Sequence, residues 1–200
     1  MASVDNETIR EDGFEREPSV YSGRRPMKAS MSIPYYQVDT FTSSLFSGNP
    51  AGVCLLTDWP SDSVLQSISA ENNLAETAFI VQRGATFDLR WFSPTLEVDL
   101  CGHATLASAH VIVQHLGYRD SIVRFETLSG TLTVSRKDDL LTLDFPTRPG
   151  IACEMPPDLI EGLGFRPESA AKARDYLAVC ETERAVRELK PDMAALMRLD

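Results

Sequence analysis

The chain has 200 residues, 43% of them hydrophobic, and a formal net charge of −10. That apolar share supports a packed core and argues against a disordered chain despite the charge. Residues 1–33, 34–150 and 151–200 carry net charges of −1, −6 and −3; none is basic, which speaks against nucleic acid or an anionic membrane as partner.

Residues 1–32 are polar, charged and aperiodic and read as a disordered arm. From Pro34 the texture changes. "YYQVDTF" has strand composition, "SLFSGNPAG" is a turn-rich loop, and "AGVCLL" is a second short strand. "DWPSDSVLQSISAENNL" carries helix-start signals: Asp58 or Ser61 as cap, Pro60 near the first turn, and Val64, Leu65, Ile68 and Leu74 near one face. "TAFIV" reads as a buried strand. "ATFDLRWFS" alternates, with Phe87, Leu89 and Trp91 on one side. From about His103 to Leu116 a helix apolar nearly all round is expected at the centre of the fold, ended by Gly117. "SIVRFETL", "GTLTVSRK" and "LLTLDFP" then form an antiparallel meander, in which Leu141, Leu143 and Phe145 alternate.

Residues 33–148 are therefore expected to be an α+β unit, a curved, mostly antiparallel sheet wrapped around one buried helix. "PTRPGIACEMPP" reads as a linker. The segment 149–200 holds a short helix in "DLIEGLG", a strand in "DYLAVCE" and helices in "TERAVRELK" and "PDMAALMRL". So few elements do not bury a core of their own, and this segment reads as the incomplete start of a second unit.

The chemistry-bearing residues cluster around "LCGHATL". His103, as the first residue of the buried helix, lies where unpaired N–H groups and the helix dipole favour an anion, and Gly102 leaves room for a ligand to approach the backbone. In the competing view, Cys101 and Gly102 only turn the chain while His103 packs. Glu76 in "NNLAETAFIV" stands at the mouth of an apolar strand, where desolvation suits a carboxyl to proton transfer near neutral pH; it is otherwise a strand-start glutamate facing water. Cys101 at a helix N-terminus has the setting of a reactive thiolate, or it is an inert buried cysteine.

No metal site is expected from the histidines. His103 and His110 would stand roughly 10 Å apart along the helix, at about 1.5 Å per residue, and His115 faces elsewhere. No nucleotide-binding glycine motif and no nucleophile elbow occurs, so nucleotide cofactor binding and serine hydrolysis lack support. Cys54, Cys101, Cys153 and Cys180 form no close pair; residues 1–30 hold no signal-like apolar segment; and no apolar run reaches the length of about 18 that a membrane span needs. A cytoplasmic protein with reduced thiols follows.

Four motifs, in order, "QVDTFTSSLFSGNPAGV", "NNLAETAFI", "RWFSPTLEVDLCGHATLASA" and "SGTLTVSRKDDLLTLDFP", resemble the PhzF-like (phenazine biosynthesis-like) family of the diaminopimelate-epimerase fold. The resemblance is close over residues 34–150, and 151–200 resemble the start of that family's second half. It implies two similar halves with an active site in the cleft between them, and a cofactor-independent isomerase or epimerase that moves a carbon-bound proton in a small carboxylate or amino-acid-like metabolite. It assigns the acid/base role to Glu76 and a site histidine to His103. Asn49, Gly102, Ala104 and Thr105 become substrate-binding positions. Related epimerases use a cysteine at the position of Cys101, but follow it with "GNG" rather than "GHA", which leaves Cys101 a secondary candidate. The second-half motif "GxxEDPVTGSA" is absent from these 200 residues. The alternative expectation is a truncated, non-catalytic binding or homodimerising protein, or a fragment of a full-length isomerase.

Overall fold

The computed structural model describes residues 32–199. The arm expected over 1–32 lies, but for its last residue, outside the described residues.

The first strand, β1 (Tyr35–Thr40), pairs antiparallel with β2 (Asn49–Leu56). Helix α1 (Asp62–Asn72) follows, and Asn73, left-handed at φ 50°, turns the chain into β3 (Glu76–Arg83). Next come β4 (Thr86–Phe92), the two-residue β5 (Glu97–Val98) and helix α2 (Gly102–His115). The meander is β6 (Ile122–Thr127), β7 (Gly130–Lys137) and β8 (Leu140–Asp144). These strands make one sheet in the order β1-β2-β3-β4-β6-β7-β8, with β5 paired to β4.

Most pairings are antiparallel, as expected, but β2–β3 and β4–β6 are parallel. The reason is the connection. Parallel neighbours need a crossover rather than a hairpin, and α1 and α2 supply the two crossovers.

Burial explains the patterns. Phe87, Leu89 and Trp91 on β4 are each about 1% exposed and point into the core with Ala104, Ala107, Val111 and Ile112 of α2. β3 is buried throughout Thr77–Val81 because both its faces are covered. Ala78 and Ile80 face the main core, while Phe79 packs with Leu65 of α1, Cys54 and Phe92 on the other face. Val64, expected on the packed face of α1, is exposed, and Ser61 caps that helix without a side-chain bond to its backbone.

Helix α2 contacts β1, β2, β3 and also β8, so it touches both ends of the strand order, and the sheet must curl around it. Small residues allow that close wrapping. Thr105 and Ser108 are fully buried because each hydroxyl donates to the carbonyl four residues back, Cys101 and Ala104 respectively. The helix is not enclosed all round, however. His110 and Gln114, one turn apart, are exposed along the seam between β1 and β8. Gly117, left-handed at φ 66°, ends the helix as expected.

The segment after the sheet holds β9 (Ile151–Ala152), α3 (Pro157–Leu163), β10 (Ser169–Lys172), β11 (Tyr176–Val179), α4 (Glu183–Arg187) and α5 (Met193–Leu196). The one strand expected here is three, a small antiparallel sheet in the order β11-β10-β9. β9 and β10 lack a legible pattern because "IA" is too short to alternate and "SAAK" has no β-branched or aromatic residue. Among the described residues, no helix is long and apolar enough to cross a membrane.

Candidate active site

Glu76 opens β3, paired with Ala51 of β2. Because strand side chains alternate, Glu76 shares the α2-facing side with Ala78 and Ile80. Cys101 is the N-cap of α2 and His103 stands in its first turn. The fold thus brings a strand mouth against a helix start. His103 Nε2 lies 3.3 Å from Glu76 Oε2, and Cys101 Sγ lies 3.5 Å from His103 Nδ1. The imidazole sits between a carboxylate and a thiol. The His103 side chain is 11% exposed and that of Glu76 is 21% exposed, so Glu76 is the more open to a ligand.

The contact between His103 and Glu76 has ion-pair distance but not hydrogen-bond alignment. His103 Nε2 and Trp91 Nε1 are, among the described residues, the two buried side-chain polar atoms without a hydrogen-bond partner. Burial lowers the pKa of His103 while the Glu76 carboxylate works the other way, so the imidazole is neutral at pH 7.

Two effects compete at Cys101. The helix N-terminus favours a thiolate, and burial disfavours it. Burial wins: it pushes the thiol up to about 12, the Glu76 carboxylate adds to the rise, and the Ala104 N–H only partly opposes it. Of the two readings of Cys101, burial favours the inert, protonated thiol. Cys101 carries its proton at neutral pH.

The substrate-binding positions fare differently. The room that Gly102 leaves is taken by Phe145: a Cβ on Gly102 would lie 2.7 Å from its ring. The glycine admits the chain's own aromatic ring rather than a ligand. Ala104 and Thr105 are fully buried, and both the hydroxyl and the N–H of Thr105 are committed to the Cys101 carbonyl. Their side chains offer no surface to a substrate. The Asn49 side chain is exposed at the start of β2, and its carbonyl accepts a bond of 3.0 Å from Thr40 Oγ1.

Sequence reasoning overlooked three features. Phe145 over Gly102 was hinted at by its alternation with Leu141 and Leu143. Asp99, just before the site, holds Arg148 and Arg174 at once, and nothing local signals that. Third, the three histidines do not gather at one place, and only His103 of them stands among potential metal ligands in the described residues. Among the described residues the potential ligand group is instead Glu76, Cys101 and His103, with donor atoms all within 4.8 Å of one another.

A cavity of about 600 Å³ opens between Phe165, Arg166, Thr182 and Arg184, and one of about 520 Å³ follows the seam along Thr40, Leu106 and His110. Neither contains Glu76, Cys101 or His103.

The family model described as phenazine biosynthesis-like protein matches residues 38–198. A relative named "uncharacterized isomerase" in Pseudomonas aeruginosa is 47% identical over 169 residues, which cover 84% of this chain and 65% of the relative. Another of that name, from Halalkalibacterium halodurans, is 42% identical over 174 residues, covering 85% and 65%. Among solved structures, a PhzF-family protein of Enterococcus faecalis aligns with TM-score 0.78 at 42% identity, over 85% of this chain and 65% of that one. A Pseudomonas aeruginosa structure described as a predicted epimerase aligns with TM-score 0.62 at 19% identity, over 84% and 67%, a likeness of fold. The chain spans 65% of the length of these two curated relatives.

Proposed function

The chain belongs to the phenazine biosynthesis-like, or PhzF, family, and on that premise we propose that it is of an isomerase or epimerase lineage, moving a carbon-bound proton in a small carboxylate or amino-acid-like metabolite. The observation that carries this reading is the 3.3 Å approach of Glu76 Oε2 to His103 Nε2 at the start of α2.

Ionised Glu76 takes the proton from the substrate carbon, and the electron pair left behind is delocalised into the adjoining carboxylate or unsaturated system. Protonated Glu76 then returns the proton to another carbon, or to the other face of the same one. His103, a neutral imidazole, holds or polarises the substrate, and the positive N-terminal end of α2 favours its anionic end. We assign residues 33–148 to a first half and 149–200 to the start of a second. The four free thiols support the reducing cytoplasm as its setting.

The test is solvent-deuterium exchange at carbon, followed by mass spectrometry with candidate amino and carboxylic acids and the 200-residue protein. Glu76→Ala should lower the exchange rate by the roughly 10²–10⁴-fold of a lost acid/base group. Exchange that survives the substitution undiminished removes Glu76 from the mechanism.

A second reading rests on the 65% span of the curated relatives. Proton transfer at carbon depends on water exclusion and on groups placed on both sides of the substrate. In this reading the 200-residue chain binds without turning over, or acts as a homodimer. Size-exclusion chromatography and binding without exchange would favour it.

A further inference from the structure

We propose that Glu76, Cys101 and His103 together form a binding site for a thiophilic divalent cation, Zn²⁺ foremost, at the corner assigned above to proton transfer. Three donors of different kinds, a carboxylate oxygen, a sulfur and an imidazole nitrogen, lie within 4.8 Å of one another. All three are zinc ligand types.

The spacing between Glu76 and His103 fits one ion, and the Cys101 sulfur lies within 4.8 Å of both. Donors on a tetrahedral zinc, at about 2.0–2.3 Å from the metal, stand about 3.3–3.6 Å from each other. The corner already has 3.3 Å between His103 Nε2 and Glu76 Oε2, and 3.5 Å between Cys101 Sγ and His103 Nδ1. The two contacts use different imidazole nitrogens, and one ion takes one of them, so the remaining donor closes in from within 4.8 Å when the ion enters. Nε2 is the available one, being buried without a hydrogen-bond partner.

Charge decides between the elements that favour and oppose a cation here. The positive end of α2 opposes it, with a charge equivalent to about half a unit. A thiolate and a carboxylate supply two full negative charges. On binding, the Cys101 thiol gives its proton to solvent and a sulfur–metal bond forms. Three protein ligands leave one position for water, and the partly open Glu76 provides the entry. Occupied in this way, Glu76 shares its negative charge with the metal and is a much weaker base toward a substrate proton, so the ion is an inhibitor. That consequence rests on the proposed function, whereas the binding does not.

The experiment uses the full 200-residue chain, treated with chelator and kept reduced, and titrated with Co²⁺ as a coloured stand-in for Zn²⁺. A thiolate-to-cobalt absorption band that saturates at one ion per chain and is displaced by Zn²⁺ is expected. Cys101→Ser should abolish the band. His103→Asn and Glu76→Gln should each weaken Co²⁺ affinity by at least the roughly 10–100-fold that follows loss of a group supporting a metal ligand. The double variant Cys153→Ser/Cys180→Ser, which alters the other partly exposed thiols, should keep the band. No band, or one that survives Cys101→Ser, overturns the site.

Deuterium exchange measured on the same samples separates the two ideas. A band without exchange in the chelated protein rejects the proposed function and upholds the site. Exchange without a band, unaffected by Zn²⁺, does the reverse.

Discussion

Cys101 shows how a local reading is reversed by burial. Its place at a helix start argues for a reactive thiolate, yet the surrounding apolar atoms push its pKa up to about 12. Cys54, under α1, is pushed up to about 12 by burial alone. Cys153 and Cys180 are only partly covered. Iodoacetamide at pH 7.5, followed by peptide mass mapping, should therefore label Cys153 and Cys180 well before Cys54 and Cys101. The same shift links to stability. A thiol whose folded pKa is raised above its ordinary value of 9.0 contributes fully below pH 9 and loses that contribution as pH rises through about 12. Urea midpoints should fall across that alkaline window, and Cys54→Ala should flatten the fall. Early labelling of Cys101 at pH 7.5 would show that its thiol is not held in the buried, protonated state.

At the scale of elements, the junction of α2 with the strand end that follows β8 is decided by one missing Cβ. Alanine at Gly102 would favour the helix by up to about 1 kcal/mol on propensity alone. Its Cβ would also lie 2.7 Å from the Phe145 ring, and forcing such a contact costs about 1–3 kcal/mol. The clash wins, so Gly102→Ala should destabilise the protein in urea titration. In a Phe145→Ala background the sign should reverse, and the double-mutant cycle reads the coupling. Additive effects would mean that ring and helix start do not meet. Most elements here were legible in the sequence, because strand alternation and helix capping act over a few residues. The two helix ends of α2 fall within one residue of expectation, and β4 shows the anticipated face. The parallel pairings, β5, β9 and β10 were not legible. Pairing direction depends on where a crossover lands, and two- to four-residue strands carry too few positions to show a period.

At the scale of the whole molecule, Asp99 ties the two parts together. It stands between β5 and α2, and its carboxylate meets Arg174, between β10 and β11, and Arg148, in the linker. Arg174, the larger influence, holds the Asp99 carboxyl below the ordinary carboxylate range, with Arg148 adding to it. A lowered folded pKa means that this contribution is present above the ordinary carboxylate range and lost as pH falls through the folded value. Asp99→Asn should lower amide-exchange protection across residues 169–179 and leave the main sheet protected. Added salt should act in the same direction, since all three side chains are substantially exposed. Unchanged protection would mean that the small sheet is held by packing alone.

By itself, the sequence determined the α+β class, the central helix with its Gly117 stop, and the meander. Those features follow from periodicity, capping and residue chemistry, all of which act locally. Only the tertiary structure decided that Glu76, His103 and Cys101 meet in one corner, that Phe145 fills the space beside Gly102, and that Cys101 keeps its proton. Distances between a strand mouth and a helix start, and the desolvation that sets a thiol's charge, depend on which surfaces close over them. That closure is a property of the curled sheet and not of any short stretch of chain.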